Sequence, residues 1–281
     1  MSRLVAYLAN DASRLACALY SSRSALVAPI EGLAPPIDSW GFGFYQDEIL
    51  LQRRPKPPSA PVDFYDAVHA LRTDAFIGHV RAGTVGKPKN ENTHPFRFRS
   101  WLFAHHGTLP AFEAHRAAVL ELVPDFLRRN IRGETDSEVL FYVVLTELMK
   151  TNRLDDSTLS TSIVSDAVRT ALQKVDDILG SAAAEMECAL ALTNGRILCA
   201  TRRRCPVSLC QIGPIHDCPV CRESALSSQK ADARKIDHEH LRAVLLVAAA
   251  ATPLAGPGWR DLAEGTLLCV DDALQISEAS V

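Results

Sequence analysis

The sequence lacks a strong excess of charge of either sign, a long uninterrupted apolar run and a recognisable targeting segment. Over 281 residues the formal net charge is −3 and the pI is about 6.3. A surface of mixed, nearly balanced charge gives no reason to expect nucleic acid or an anionic membrane as a partner. The one basic run, Arg202–Arg204, is typical of a solvated strand end or loop.

Signals for secretion and for membrane insertion are also missing. Two charged residues, Asp11 and Arg14, interrupt the first twenty residues. The apolar segment between charges is therefore too short for a signal peptide. The longest apolar run, Ala243 to Gly256, is too short to cross a bilayer and contains Pro253. We therefore expect a soluble, cytoplasmic protein. Four of the eight cysteines lie in apolar contexts where buried free thiols are common, namely Cys17, Cys188, Cys199 and Cys269.

Hydrophobic residues make up 47% of the chain, which is enough for a substantial core. Apolar periodicity predicts strands over 3–8, 75–81 and 96–105, and helices over 62–72, 136–151 and 158–180. Asn194-Gly195 predicts a hairpin over 188–201. The alanine-rich segment 240–251 fits either a strand or a helix. Because strands and helices come in blocks and do not alternate strictly, we expect an α+β fold with layered sheets.

Polar residues suited to a functional site are concentrated in the first half of the chain. They lie in Met1–Arg3, Asp38–Gly41, His79–Thr84, Asn92–Phe96 with Ala104–Gly107, and Gly133–Glu138. Each stretch has a structural explanation of its own: Arg81 fits a strand-end ion pair, and Glu134–Asp136 fits a charged helix start. Short motifs match often by chance, so the order and spacing of all five carry more weight than any one.

In this order the stretches resemble the class II glutamine amidotransferases, of the stand-alone type that includes the γ-glutamyl hydrolase of ergothioneine biosynthesis. The family's His-x-Arg-x-x-Thr-x-Gly, Asn-x-His-Pro and Glu-Thr-Asp-Ser-Glu motifs are matched by His79, Arg81, Thr84 and Gly86, by Asn92, His94 and Pro95, and by Glu134–Glu138. Its early Asp-Gly-Trp-Gly and distal Pro-Gly-Trp-Arg correspond to Asp38–Gly41 and Pro257–Arg260. The resemblance implies one domain over residues 1–281, a four-layer αββα sandwich of the N-terminal-nucleophile hydrolase type.

The chemistry that the resemblance implies is hydrolysis of the side-chain amide of glutamine or of a γ-glutamyl compound, with no cofactor. An amide is a poor electrophile, and the free α-amine of the first residue is a usable base because its pKa is about 7.7–8.0. The family pattern makes Ser2 the nucleophile, with His106 and Gly107 stabilising the oxyanion. It assigns the substrate's α-carboxylate to Arg81 and its α-ammonium to Asp136. Thr84, His94 and Trp40 complete the predicted substrate-binding set.

Two positions depart from the family pattern. Ser2 replaces a cysteine, and a serine hydroxyl is a weaker nucleophile than a thiol. His106 replaces an asparagine, although a neutral imidazole still has one N–H to donate. Two interpretations stay open: an active hydrolase, which lends ammonia to a synthase partner subunit or acts alone, and an inactive pseudoenzyme that binds a γ-glutamyl ligand or a partner protein.

A cysteine cluster in the second half lies outside the resemblance. Cys205, Cys210, Cys218 and Cys221 fall within seventeen residues, in a segment that we expect to form a cysteine-rich loop insertion over 203–235. Cys218 and Cys221 have the spacing of one half of a structural zinc site, and Cys205 with Cys210 would supply the other half. The alternative is a reduced loop with no metal.

Overall fold

The computed structural model describes residues 3–28, 36–156, 158–227, 235–248, 254 and 256–281. The strands are β1 (Arg3–Ala9), β2 (Val27–Ala28), β3 (Ile37–Tyr45), β4 (Ile49–Arg54), β5 (Val62–Asp63), β6 (Ala75–Ala82), β7 (Phe96–Phe98), β8 (Trp101–Thr108), β9 (Glu187–Thr193), β10 (Leu198–Arg202), β11 (Val207–Ile212), β12 (Ala243–Ala248), β13 (Trp259–Asp261), β14 (Thr266–Val270) and β15 (Ile276–Ser280). The helices are α1 (Leu15–Tyr20), α2 (Phe64–Val68), α3 (Phe112–Glu121), α4 (Asp125–Arg128), α5 (Asp136–Lys150), α6 (Thr161–Leu179) and α7 (Pro219–Ser227). Within these ranges no helix combines the length and the apolar character needed to span a membrane.

Two antiparallel sheets lie at the centre of the molecule. Among the described residues, sheet I has seven strands in the order β13-β11-β12-β1-β6-β3-β4, and sheet II has six in the order β15-β14-β10-β9-β8-β7. Strand β1 pairs with β12 on one side and with β6 on the other. The first strand of the chain is therefore an inner strand of sheet I.

Alternation of side chains along the strands divides the core into layers. Leu4 and Ala6 face sheet II and pack in a cluster shared by both sheets, whereas Val5 and Tyr7 face the opposite side of sheet I. That outer side is covered by the short-helix layer, which consists of α1 and α2, with α7 packed on α1. The outer side of sheet II is covered by the long-helix layer, which consists of α3, α5 and α6. The predicted four-layer αββα arrangement is confirmed.

The long-helix layer follows directly from local signals. Thr135 caps α5, because its Oγ1 accepts a hydrogen bond from the Glu138 N–H at 3.1 Å. Helix α6 carries an apolar stripe at helical spacing, and the residues of this stripe are buried; they are Val164, Ala167, Val168, Ala171, Leu172, Val175 and Leu179. The predicted helix over 136–151 and the predicted hairpin around Asn194-Gly195 are both confirmed.

Other predicted elements differ in extent. The strand expected over 96–105 is a hairpin of β7 and β8, because Arg99 takes a left-handed conformation (φ 52°) between them. The helix expected over 62–72 is only α2, since Val62 pairs in β5 and Asp63 caps the helix by accepting from the Tyr65 N–H. The ambiguous segment 240–251 contains β12, and its last three residues lie outside the described part of the chain. The segment 203–235, expected to be a loop, contains β11 and α7.

One cysteine pair also differs from expectation. Cys199 and Cys269, expected as free thiols, are directly opposite each other on β10 and β14 and form a disulfide. The pairing depends on strand register across 70 residues of sequence, which no local pattern reveals. Cys17 and Cys188 are free and buried, as expected.

Candidate active site

A small cavity of about 30 Å³ lies where the end of β6 meets the start of α5. It is lined by His79, Arg81, Ala82, Gly83, Thr84, Val85, His94, His105, Gly107, Thr135, Asp136 and Ser137. Its lining combines charged, imidazole and hydroxyl side chains, which suits recognition of a small polar group. The structure thus brings five of the predicted site residues together: Arg81, Thr84, His94, Gly107 and Asp136.

Arg81 provides the cation of the cavity. It lies on the inner face of β6, while the neighbouring Val80 packs in the outer core. One guanidinium nitrogen, Nη1, donates to Asp38 Oδ2 at 2.5 Å, and the other, Nη2, donates to the carbonyls of Val85 and Gly86. The guanidinium is therefore held in one orientation by an ion pair and by the loop that follows β6.

The partner of Arg81 is placed by an irregularity in the sheet. The register between β3 and β6 shifts between Ile37 and Ser39, so Asp38 lies in a β-bulge, a feature that re-aims a side chain. A Cβ atom at Gly83 would collide with Asp38 Oδ2 and with the guanidinium of Arg81. Glycine at position 83 therefore allows the loop to lie against the ion pair. Asp38 lies in one of the sequence motifs, but the sequence indicates no role for it, because strand alternation does not predict a bulge.

Asp136 provides the anion of the cavity. As the first residue of α5 it accepts from the Leu109 N–H on Oδ2 at 2.8 Å, and on Oδ1 from the N–H and the hydroxyl of Ser137, at 2.8 and 3.4 Å. Burial raises the pKa of this carboxyl, while those hydrogen bonds and the charge of Arg81 act in the opposite direction. Oδ2 keeps acceptor capacity for a further donor. A carboxylate at a helix N-terminus is also favoured by the helix dipole.

Asn92 and Glu138, which belong to the sequence motifs, do not line the cavity but position the start of α5. The side chain of Asn92 accepts from the Glu134 N–H and donates to the Lys87 carbonyl, both at 2.8 Å. Glu138 accepts from the N–H groups of Arg132 and Gly133, at 3.0 and 2.6 Å. These contacts tie the loop after β6 to the turn that precedes α5, and so fix Asp136 relative to Arg81.

Buried, neutral imidazoles form one wall of the cavity. The rings of His79 and His94 lie 4.2 Å apart, and within the described ranges neither ring nitrogen of either residue has a hydrogen-bond partner. Burial, followed by the charges of nearby histidines and Arg81, lowers the pKa of both well below the usual value. His105 Nδ1 lies 3.0 Å from the Ser137 hydroxyl, and burial lowers the pKa of His105 to about 4. The sequence alone indicates no role for His79 or His105.

The two residues predicted to stabilise an oxyanion are adjacent on β8 but differ in placement. His106 is half-buried, lies on the strand face opposite to His105, and is not among the described residues that line the cavity. Burial lowers the pKa of His106 to about 3, and the charge of His105 contributes to this shift. The ring of His106 is therefore neutral. Gly107 lines the cavity with φ at 150°, and a Cβ atom there would collide with the Glu187 carbonyl oxygen. Only glycine fits at position 107.

The structure does not bring Trp40 to this cavity. Trp40 pairs with Val80 and stacks on Phe42, which places it on the outer side of sheet I. There it lines a different pocket with Arg54 and the proline-rich segment 57–61. Ser2, the predicted nucleophile, lies outside the described residues. The described chain begins at Arg3, opposite Val80 and between the register positions of His79 and Arg81.

The structure also corrects the predicted set of metal ligands. Cys218 and Cys221 lie close together, but their neighbours are Cys17 and His238. Cys205 is buried between the two sheets, and Cys210 Sγ lies 4.0 Å from the Ser22 hydroxyl oxygen on the outer side of sheet I. Cys210 belongs to β11, so its direction is set by the sheet and not by the nearby cysteines.

Comparison with known proteins agrees with this geometry. Residues 11–279 match the family described as glutamine amidotransferases class-II. The chain is similar to the probable glutamine amidotransferase DUG3 of Saccharomyces cerevisiae, at 35% identity over 79 residues, which is 28% of this chain and 22% of that protein. It is also similar to the gamma-glutamyl-hercynylcysteine sulfoxide hydrolase of Mycobacterium tuberculosis, at 36% identity over 74 residues, which is 26% of this chain and 32% of that protein. The chain thus covers less than a third of the length of each relative.

A solved structure supports the fold over nearly the full length. The glutamine aminotransferase class-II domain protein from Silicibacter pomeroyi superimposes with a TM-score of 0.55 at 21% sequence identity, covering 99% of this chain and 98% of that one. At this level of identity the likeness concerns the fold alone.

Proposed function

Because the chain belongs to the class II glutamine amidotransferases, we propose that it hydrolyses the side-chain amide of glutamine or of a γ-glutamyl compound. The observation that carries the proposal is the joint presence of Arg81 and Asp136 in one buried cavity, beside the start of β1. A γ-glutamyl group has an α-carboxylate and an α-ammonium, which need a fixed cation and a fixed anion. We take residues 1–281 to act as one domain.

Substrate recognition would use the charges of the cavity in complementary pairs. Asp136 keeps acceptor capacity on Oδ2 and would bind the α-ammonium. Arg81 would bind the α-carboxylate, held in place by Asp38 and by the loop carbonyls. Thr84, which lies 3.1 Å from the Thr108 hydroxyl, and the neutral ring of His94 would complete the walls of the subsite.

The proposed reaction uses Ser2 after removal of Met1. The Ser2 hydroxyl attacks the amide carbon, and the free α-amine of Ser2 takes the hydroxyl proton. The tetrahedral intermediate then collapses: the protonated amine returns the proton to the leaving nitrogen, ammonia or an amine departs, and an acyl ester remains. Water hydrolyses this ester by the same base. The Gly107 backbone and the neutral His106 ring would stabilise the oxyanion, a contribution of about 10²–10³ in kcat for one such donor.

A second candidate function is an inactive protein that binds a γ-glutamyl ligand or a partner protein. Two observations favour it. Serine and histidine occupy positions 2 and 106, where the family pattern has cysteine and asparagine. The guanidinium of Arg81 is also already engaged by Asp38, Val85 and Gly86. A ligand carboxylate would have to share or displace these partners, which weakens binding and suits a slow or silent site.

The test measures release of product from a γ-glutamyl chromogenic amide and release of ammonia from glutamine, after mass spectrometry of the intact protein. We expect loss of Met1, measurable turnover, no turnover for Ser2→Ala, and faster turnover for Ser2→Cys because a thiol is the stronger nucleophile. Asp136→Asn should lower kcat/KM by about 10²-fold, since it removes a buried charge partner of the ammonium. Glu113→Gln, an exposed change on α3, is the matched control and should have no effect.

The outcomes separate the two functions. Retention of Met1 on Ser2, or the absence of turnover in both the unaltered protein and the Ser2→Cys variant, would exclude the hydrolase. If calorimetry then shows glutamine binding that Asp136→Asn abolishes, the inactive ligand-binding function is supported. Ammonia release from glutamine without an added acceptor is also the property that a synthase partner subunit would require.

A further inference from the structure

A group of sulfur and nitrogen ligands lies far in sequence from the cavity residues and takes no part in the proposed hydrolysis. It consists of Cys17 on α1, Cys218 just before α7, Cys221 in α7, and His238. All four ligand atoms lie within 4.8 Å of one another. Cys17 Sγ is 3.6 Å from Cys221 Sγ, and Cys221 Sγ is 3.3 Å from His238 Nε2. The side chains therefore converge on one point from three separate parts of the chain.

We propose that Cys17, Cys218, Cys221 and His238 bind one Zn²⁺ ion as a tetrahedral structural site. With Zn–S and Zn–N bonds of about 2.3 and 2.0–2.1 Å, tetrahedral ligand atoms are separated by about 3.5–3.8 Å. The two distances given above are already close to these separations. Three thiolates and one imidazole are soft and borderline ligands, which select zinc over magnesium or calcium. Four protein ligands also fill the coordination sphere, so the ion would be structural and not catalytic.

Backbone hydrogen bonds connect the segments that carry the ligands. Ile215 and His238 exchange two backbone hydrogen bonds in an isolated antiparallel bridge, at 2.8 and 3.2 Å. The Cys218 N–H donates to the Ile236 carbonyl at 2.8 Å, and the Asp217 N–H donates to Asp237 Oδ1 at 2.7 Å. These hydrogen bonds place the Cys-Pro-Val-Cys turn and His238 side by side.

The electrostatic surroundings also suit the proposed site. Three thiolates around Zn²⁺ leave a net charge of −1, which needs a nearby cation. The guanidinium of Arg14 lies near enough to Cys221 and His238 to act on both electrostatically, and it supplies such a cation. Cys17, Cys218 and His238 are buried and Cys221 is only half-buried, so the ion would lie beneath the surface with one ligand at the edge.

A disulfide or a set of free thiols explains the geometry less well. A Cys17–Cys221 disulfide would use two of the four residues. It would not explain why His238 lies against Cys221. Four free groups would place three thiols and an imidazole together with little to hold them. A Zn²⁺ ion gives each of them a partner and links α1 to α7 across about 200 residues of sequence.

The experiment measures zinc in the full-length protein purified under reducing conditions and dialysed against metal-free buffer. We expect one zinc per chain, released by a thiol-reactive reagent, and a blue or green thiolate absorption after replacement by Co²⁺. Cys221→Ser and His238→Gln should each weaken zinc retention at least tenfold. Cys210→Ser, which changes a buried thiol outside the group, is the matched control and should retain all of the zinc.

The design distinguishes loss of the site from loss of the fold. If Cys221→Ser fails to fold, competition between a zinc chelator and the unaltered protein still tests the affinity directly. The proposal is overturned if the reduced, folded protein contains no zinc and takes up no added Zn²⁺ or Co²⁺. It is also overturned if Cys210→Ser loses as much metal as Cys221→Ser, or if mass mapping shows a Cys17–Cys221 disulfide in the purified protein. None of these results depends on turnover of a γ-glutamyl amide.

Discussion

The two helical layers of the sandwich differ in how they can be held on their sheets. In the long-helix layer α5 and α6 have 15 and 19 residues and bury an extensive apolar face. In the short-helix layer α1, α2 and α7 have 6, 5 and 9 residues. Helices shorter than about 12–15 residues are marginal without tertiary contacts. We therefore expect apolar burial to hold the long-helix layer on its sheet. The short-helix layer should gain stability from a cross-link, which the proposed zinc site would provide.

Acid should give the largest effect, and it should act first where α5 begins. His79, His94 and His105 are buried there with lowered pKa values, so the unfolded chain binds more protons below pH 6.5 and stability falls as the pH falls. One histidine that stays neutral in the folded protein should cost at most about 2 kcal/mol of stability between pH 7 and pH 5, and the three together should cost more than any one of them. The raised pKa values of Asp136 and Glu138 act in the opposite sense, but as two carboxyl groups against three histidines.

The measurement is the free energy of unfolding in urea at both pH values, in protein kept free of zinc by a chelator. His94→Asn should reduce the loss by about 2 kcal/mol. His69→Gln, which changes an exposed histidine on the short-helix side, is the control and should leave the loss unchanged. Equal pH dependence in all three proteins would contradict the assignment of acid sensitivity to the cavity.

Truncation of the core of the long-helix layer should have the next largest effect. Phe141 of α5 is fully buried and stacks on Phe103 of β8, with ring centroids 5.0 Å apart. Phe141→Ala should lower the free energy of unfolding by about 3–5 kcal/mol. The loss should be the same with and without a zinc chelator, because this layer does not depend on metal. Phe126→Ala, at a position 49% exposed, should change stability by less than about 0.5 kcal/mol.

Removal of zinc should have a smaller and local effect. After chelation, hydrogen exchange of the amides in α1 and around Cys218 should speed up at least about tenfold, which corresponds to about 1.4 kcal/mol. Exchange in α5 and α6 should not change. Uniform acceleration in both layers would show that the layers are not independent, and no acceleration anywhere would remove the proposed difference between them.

The smallest effect should come from an ion pair within the long-helix layer. Lys174 of α6 and Lys150 of α5 both place Nζ 2.7 Å from Glu147 Oε1. Lys174→Met should cost about 0.2–1 kcal/mol, as measured by urea unfolding, because Glu147 keeps Lys150 as a partner. Lys150→Met is the matched change and should cost about the same. A loss above about 2 kcal/mol for either variant would mean that ion pairs, and not apolar burial, hold this layer.

Elements with local signals could be predicted from sequence, and elements that depend on strand pairing could not. Helix α5 follows from its cap at Thr135 and its apolar periodicity, and the hairpin at Asn194-Gly195 follows from its turn residues. The hairpin of β7 and β8 was missed, because its turn at Arg99 carries no glycine or proline signal. Helix α2 is shorter than predicted for a reason that depends on the pairing of β5 with β2.

The residues of the cavity also divide into those that the sequence identifies and those that only the structure identifies. Arg81 and Asp136 could be identified because they lie in motifs with a fixed spacing. Asp38 could not be assigned as the partner of Arg81, because a β-bulge directs its carboxylate. Trp40 was expected in the cavity, but strand alternation places it on the outer side of sheet I.

The sequence by itself determined the motifs that carry Arg81 and Asp136, the long helices and the Asn194-Gly195 turn, since each depends on residues within a few positions of one another. Only the tertiary structure decided which cysteines meet. Cys17 reaches Cys221 and His238, and Cys199 reaches Cys269, through sheet register and helix packing. Contacts between residues separated by about 70 to 220 positions leave no local pattern, because they are set by the burial of whole faces against each other.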